Sequence, residues 1–166
     1  MRPVPAEPNP SDDALSDVDA MRLALHEARL APAHGDVPIG AVGLVAGRVV
    51  GSRHNERELQ RDPTAHAEML LLREVAGRTS GWRLNDLTVV VTLEPCPMCA
   101  GALVAARVGR LVFGAADAKA GAAGSLYNLC ADPRLNHEVA VVGGVLAEPC
   151  GSLLSQFFAD RRGDQS

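Results

Sequence analysis

Beyond the first sixteen residues, apolar positions recur at helical spacing: Met21, Leu23, Ala24, Leu25, Ala28 and Leu30, a run that stops near Pro32. That pattern predicts an amphipathic helix starting at about Asp17. Two short apolar runs follow, 39–45 and 49–52, joined through Ala46-Gly47, and together they predict a β-hairpin. A polar loop, NERELQRDP, leads to Thr64, read as the N-cap of a second helix whose apolar side is Met69, Leu70, Leu71, Leu72 and Val75. The unbroken run Leu87–Leu93, dense in β-branched residues, predicts a strand buried on both faces.

The rest of the chain continues the alternation. A third helix is expected from about Cys96 to Ala106, a strand over 110–114, and a last strand and helix over 139–142 and 146–162. The last helix carries Leu153, Leu154, Phe157 and Phe158; between them, the Gly/Ala-rich stretch 115–133 has room for one short helix near Leu126. Apolar strands alternating with helices predict a single α/β domain, a three-layer α/β/α sandwich around a central, mostly parallel sheet of about five strands. The domain is expected over 17–162. It is flanked by an acidic, proline-rich tail over 1–16, whose composition does not support a packed core, and by a short C-terminal tail over 163–166.

Composition narrows the function classes. The chain has 166 residues, 47% apolar and 22% charged, which suits one soluble globular domain. No apolar stretch is long enough for a membrane span and the N-terminus lacks the pattern of a secretory signal, so a cytoplasmic protein is expected. The net charge of −4 resides entirely in the first twenty residues, and the rest of the chain is neutral. A nucleic-acid partner would therefore have to be held by a local patch and not by a broad basic surface. Of the four cysteines, Cys130 and Cys150 are read as small packing residues.

The other two carry chemistry. Cys96 and Cys99 stand in PCPMC at the predicted start of a helix, where residues at i and i+3 share a face and the helix N-terminus favours thiolates. His66 lies at the start of the preceding helix. If the strands before the two helices are sheet neighbours, His66 and the cysteines open on one sheet edge. A structural zinc site normally needs four protein ligands, and His26, His34, His54 and His137 each stand alone in the sequence. Three ligands leave a position for water, the arrangement of catalytic zinc. Glu68, two residues after His66, is placed to move protons there; read alone, it is an ordinary acid at a helix start.

H-A-E followed by P-C-P-M-C resembles the H-x-E…P-C-x-x-C pattern of zinc nucleobase deaminases. Further stretches are similar to the bacterial tRNA-specific adenosine deaminases of the cytidine/deoxycytidylate deaminase superfamily: DVPIGAV at 36–42, HNERE at 54–58, DPTAHAE at 62–68, TLEPCPMCAGALVAARVGRLVFGA at 92–115, DAKAGAAGS at 117–125, Asn136-His137, and FFADRR at 157–162. The resemblance runs from about Met21 to Arg162. It implies a cytidine deaminase-like fold and hydrolytic conversion of adenosine to inosine at the wobble position of a tRNA, with arginine tRNA the expected substrate. It further implies one Zn2+ per subunit on His66, Cys96 and Cys99, with Glu68 as proton shuttle.

By the same resemblance Asn55 hydrogen-bonds the target base, and Asp117 and Lys119 contact nucleotides around it. Phe157, Arg161 and Arg162 belong to a last helix that lies against the anticodon stem-loop, and the working form is a homodimer. From the residues alone, Asn55 reads equally as a turn residue, Asp117 and Lys119 as a solvated pair, and the two phenylalanines as core. Asp160 interrupts the basic end of FFADRR, and the acidic tail has no counterpart in the family pattern. Two other functions share parts of the motif set: a zinc deaminase of a free base or nucleoside (guanine, cytosine or cytidine), and a zinc-binding scaffold without turnover, which would have no use for Glu68.

Overall fold

Strand β3 (Leu87–Leu93) is the axis of the molecule, because its side chains are buried on both faces of the sheet. Val89 and Val91 point into one apolar cluster, and Val90, between them, points into another. This is the two-residue period of a strand covered on both sides. The computed structural model describes residues 13–165; the first twelve residues of the predicted tail lie outside that range.

In chain order the elements are α1 (Asp17–Ala28), a 3-10 turn (Ala31–His34), β1 (Gly40–Val45), β2 (Arg48–His54), the single turn α2 (Arg57–Gln60), α3 (Ala67–Arg78), β3, α4 (Pro97–Ala105), β4 (Arg110–Ala115), a second 3-10 turn (Leu129–Ala131), β5 (Ala140–Val142) and α5 (Ala147–Gly163). The five strands form one sheet in the order β2-β1-β3-β4-β5. β1 is antiparallel to both β2 and β3, whereas β3, β4 and β5 run parallel. The sheet is thus mixed, with a parallel half built by a crossover through α4 and by the long 116–139 connection that holds the second 3-10 turn, and an antiparallel half built by the hairpin. Ala46 and Gly47 both have positive φ (52° and 73°), as a two-residue turn matching the strand twist requires.

Helices cover both faces, giving the expected three layers. α3 and α4 pack on one cluster, with Leu71, Leu72, Val75, Leu103 and Val104 against Val89, Val91 and Leu111. α1 and α5 cover the other, where Ala20, Met21, Ala24 and Cys150 meet Val42, Val90 and Val112. Burying each Val or Leu side chain contributes about 1.5–3 kcal/mol, which makes these two clusters the main source of cohesion. Cys130 and Cys150, both free and buried, fill space in the two clusters.

The start of α1 is fixed by Ser16, whose hydroxyl accepts the Asp19 N–H at 3.1 Å. Asp17 and Asp19 add favourable charge in its first turn. One residue earlier, the Leu15 N–H donates to Gly47 O at 3.0 Å, tying the chain to the hairpin turn. Arg110 of β4 holds Asp17 through two contacts of 2.7 and 2.6 Å. Three local expectations differ from the structure. The predicted polar loop contains α2. The second 3-10 turn lies over 129–131 and not at Leu126. Thr64 is not a helix cap: its N–H and hydroxyl both donate to Asp62 Oδ1 in a turn, and α3 begins after His66.

Candidate active site

β2 and β3 are not sheet neighbours, because β1 lies between them. Both are antiparallel to β1, so they point the same way and their C-terminal ends reach the same sheet edge. β4 ends there as well, with Leu93 paired to Ala115. The chain leaving β2 leads through α2 into the start of α3, and the chain leaving β3 leads directly into α4. Two helix N-termini therefore open on one edge, carrying His66 and Cys96 as their N-cap residues.

His66, Cys96 and Cys99 converge there. His66 Nδ1 lies 3.7 Å from Cys96 Sγ and 3.5 Å from Cys99 Sγ, and the three ligand atoms all lie within 4.8 Å of one another. Zn–S and Zn–N bonds of ordinary length in a tetrahedron place sulfur and nitrogen about 3.6 Å apart. The donor set therefore fits a tetrahedral zinc on size as well as type. Among the described residues it is the one group of three such side chains at this spacing. The Cys99 Sγ–H donates to Cys96 and holds the Cys96 thiol down at about 4; burial opposes this and His66 assists it. The same hydrogen bond, together with burial, pushes Cys99 up. His66 is raised by its hydrogen bond to Cys96.

Glu68 is the second residue of α3 and is buried. Burial pushes its carboxyl above the ordinary carboxylate range, against the opposing pull of its own backbone N–H and of His66. A carboxyl with a raised affinity for protons, two residues from a metal-type ligand, has the properties of a general acid and base.

Asn55 follows the last residue of β2 and is also buried. Its Oδ1 accepts the Ala67 N–H at 2.9 Å, satisfying the first orphan donor of α3 from outside the helix. His66 supplies no side-chain cap of its own, and its ring is left for the cysteine sulfurs.

Asp117 and Lys119 lie just beyond β4, in a loop organised by a residue that motif reading passes over. Glu94, buried after β3, accepts the Asp117 N–H at 3.2 Å and the Ala123 and Ser125 N–H groups at 3.1 Å each, and also the Ser125 hydroxyl. Burial alone would raise the Glu94 carboxyl, but these four donors bring it below its ordinary range. The one sequence signal for Glu94 was an acid closing an apolar strand, in TLEPC.

Asp117, Lys119 and Phe158 line a cavity of about 520 Å³ with Val37, Leu93 and Leu154. Phe157 is half-buried and sits edge-on to Phe158, with centroids 5.4 Å apart. Arg161 lies 4.9 Å over the Phe157 ring and donates to Gly35 O at 3.0 Å, so it joins α5 to the turn before β1. Arg162 is exposed on the same terminal turn. The histidines that stand apart in sequence are not all apart in space: His34 and His54 face one another, while the His137 Nε2–H donates to Val108 O at 2.6 Å.

Comparison with known proteins gives concordant results. The family model described as MafB19-like deaminase matches residues 15–162. A tRNA-specific adenosine deaminase of Bacillus subtilis is 49% identical over 142 residues, covering 86% of this chain and 88% of that protein. A tRNA-specific adenosine deaminase of Haemophilus influenzae is 48% identical over 147 residues, covering 88% of this chain and 85% of that protein. A solved structure from a study of A-to-I editing by tRNA:A34 deaminases at the wobble position of transfer RNA superposes with a TM-score of 0.78 at 39% identity, covering 81% of this chain and 98% of that one.

Proposed function

This chain belongs to the tRNA-specific adenosine deaminases, within the MafB19-like deaminases, and on that basis we propose that it converts adenosine to inosine at the wobble position of a tRNA by hydrolysis. The observation that carries the chemistry is Glu68, a buried carboxyl with a raised affinity for protons, at the mouth of the His66, Cys96 and Cys99 cluster.

Those three residues would hold one zinc ion per subunit. Zinc in such a site is a Lewis acid that makes water a nucleophile at neutral pH. Glu68 removes a proton from the attacking water, passes it to the ring of the base, and returns a proton to the departing ammonia. The side-chain oxygen of Asn55 is committed to Ala67, which leaves its Nδ2 hydrogens as the donors that orient the base. Water supplies the new carbonyl oxygen, and ammonia carries away the ring amine. The adenosine enters from a single-stranded loop, where unstacking costs little.

The cavity lined by Lys119, Asp117 and Phe158 supports a reading in which it receives nucleotides next to the target. Phe157, Arg161 and Arg162 extend that surface along α5 toward the anticodon stem-loop. The working form is proposed to be a homodimer. Supporting this, shallow apolar grooves flank α4 near Trp82 and Leu135, both exposed. Among the described residues no helix is long and apolar enough to cross a membrane, and a cytoplasmic site of action follows from a tRNA substrate.

The test compares an arginine-tRNA anticodon stem-loop with free adenosine, cytidine, cytosine and guanine. Inosine at the wobble position with the free compounds untouched is the expected result. Turnover of a free compound with the stem-loop ignored would overturn the substrate while leaving the zinc chemistry in place.

A further inference from the structure

His34 closes the 3-10 turn after α1 and His54 ends β2, twenty residues apart in sequence. Their Nε2 atoms lie 3.1 Å from each other and their ring centroids 5.2 Å apart. The far nitrogen of each ring is already engaged. His34 Nδ1 lies 2.6 Å from Asp36 Oδ2, and His54 Nδ1 lies 2.8 Å from Glu27 Oε1. A carboxylate only accepts, so each Nδ1 carries the ring hydrogen. Two neutral rings held in this way turn their Nε2 lone pairs toward one another. Such a pair is stable only with a cation between the nitrogens, either a proton or a metal ion.

We propose that His34 and His54 form a second metal site, for a divalent ion of the zinc type. Both Nε2 atoms are ligands and water completes the shell, with the Glu56 carboxylate beside it as countercharge. Two imidazole nitrogens on one tetrahedral zinc stand about 3.3 Å apart, close to the spacing found. A carboxylate behind each ring is the outer partner that metal-binding histidines use to fix tautomer and orientation. Glu56 Oε1 lies 3.9 Å from His54 Nε2, and Arg53 and Gln60 hold that carboxylate in place.

Charge favours a cation here. Glu27, Asp36 and Glu56 surround the two rings, and Arg53, which bridges Glu56 and Glu74, offsets only part of this. Asp36 is locked as an acceptor by the Glu58 and Leu59 N–H groups at 3.0 and 3.2 Å. The side chains of His34 and His54 remain 19% and 16% exposed, so an ion reaches them from solvent. Two imidazoles with water bind such ions less tightly than a thiolate pair with imidazole, so this site fills after the one on Cys96 and Cys99. Its occupant would tie the 3-10 turn to the end of β2, beside Asn55.

The experiment titrates the full-length protein, already carrying its first equivalent of metal, with zinc, and measures bound metal by mass spectrometry after gel filtration. A parallel titration with cobalt follows the visible spectrum. The expected result is a second equivalent, which with cobalt adds weak d–d bands and no further thiolate charge-transfer absorption. His34→Gln and His54→Gln should keep the first equivalent and lose the second. Glu27→Gln retains both rings and protects against misfolding of the histidine variants; it should weaken the second site about 10–100-fold. Saturation of the unmodified protein at one equivalent would overturn the proposal and assign a shared proton to the pair. A second equivalent retained in both histidine variants would overturn it as well.

Discussion

The side-chain oxygen of Asn55 accepts the backbone N–H of Ala67 at 2.9 Å, so the residue expected to orient the base also caps the helix that carries His66 and Glu68. The two tasks use different atoms, which makes them separable. Asn55→Asp retains an acceptor for Ala67 and removes the amide donor, whereas Asn55→Ala removes both. Loss of a cap costs about 0.5–2 kcal/mol. The expected outcome is a lowered Tm for Asn55→Ala and a near-normal Tm for Asn55→Asp, with deamination lost in both. An Asn55→Asp enzyme with full turnover would limit Asn55 to the cap.

Glu94 acts at a distance from the chemistry. Glu94→Gln places an amide donor where the Ala123 and Ser125 N–H groups already donate. Hydrogen bonds to a charged group are worth about 1.5–3 kcal/mol, so a stability loss of that order is expected. KM for the stem-loop should rise more than kcat falls, because the loop carrying Asp117 and Lys119 loses its anchor. The sign of the pH effect follows from the depressed carboxyl. Its stabilisation is present above the ordinary Glu value of about 4.3 and is lost as pH falls through the lower folded value. Thermal melts from about pH 6 down to pH 3 should show a shallower acid decline in Glu94→Gln.

The contrast between Glu68 and Glu94 shows what the sequence made legible. Glu68 stands two residues from a metal-type ligand in a spaced motif, and spacing survives in one dimension. Glu94 serves backbone N–H groups some 23 to 31 residues away, and no residue pattern marks a backbone donor. The strand and helix order was legible because apolar periodicity is local. That β1 separates β2 from β3 was not, because strand order is set by pairing across the sheet. Thr64 had the chemistry of a cap, but Asp62 engages it first, and the cap comes from Asn55, twelve residues upstream of Ala67. His34 and His54 read as isolated for the same reason: only folding brings their rings together.

Glu68→Gln preserves size and removes the proton carrier. Metal content should remain that of the parent protein, since the three ligands are untouched. Single-turnover deamination should fall about 10²–10⁴-fold, the range for a general acid–base group. Loss of metal together with activity would instead make Glu68 a structural support of the ligand cluster.

Gly40 tests how α1 is seated. A Cβ at this position would lie 2.1 Å from Ala24 O and 2.5 Å from Ala28 N, so the helix backbone rests directly on β1. Gly40→Ala must push α1 off the sheet, an overpacking cost of about 1–3 kcal/mol. Chemical denaturation should report that loss with an unchanged m value. An unaltered midpoint would mean that α1 shifts without strain.

Lys119 and Arg161 should respond differently to salt, because they are held differently. Lys119 lines the cavity beside Asp117, so its ammonium is available to a phosphate. Arg161 already donates to Gly35 O and stacks on Phe157, so removing it disturbs the junction of α5 with the turn before β1 as well as any RNA contact. A lost phosphate contact lowers the salt slope of binding by about 0.7–0.9. Lys119→Ala should therefore flatten the dependence of log Kd on log salt by roughly that amount, with Tm unchanged. Arg161→Ala should lower Tm as well as affinity. If Lys119→Ala leaves the slope intact, the cavity does not receive a phosphate, and the RNA path must run elsewhere on the sheet edge.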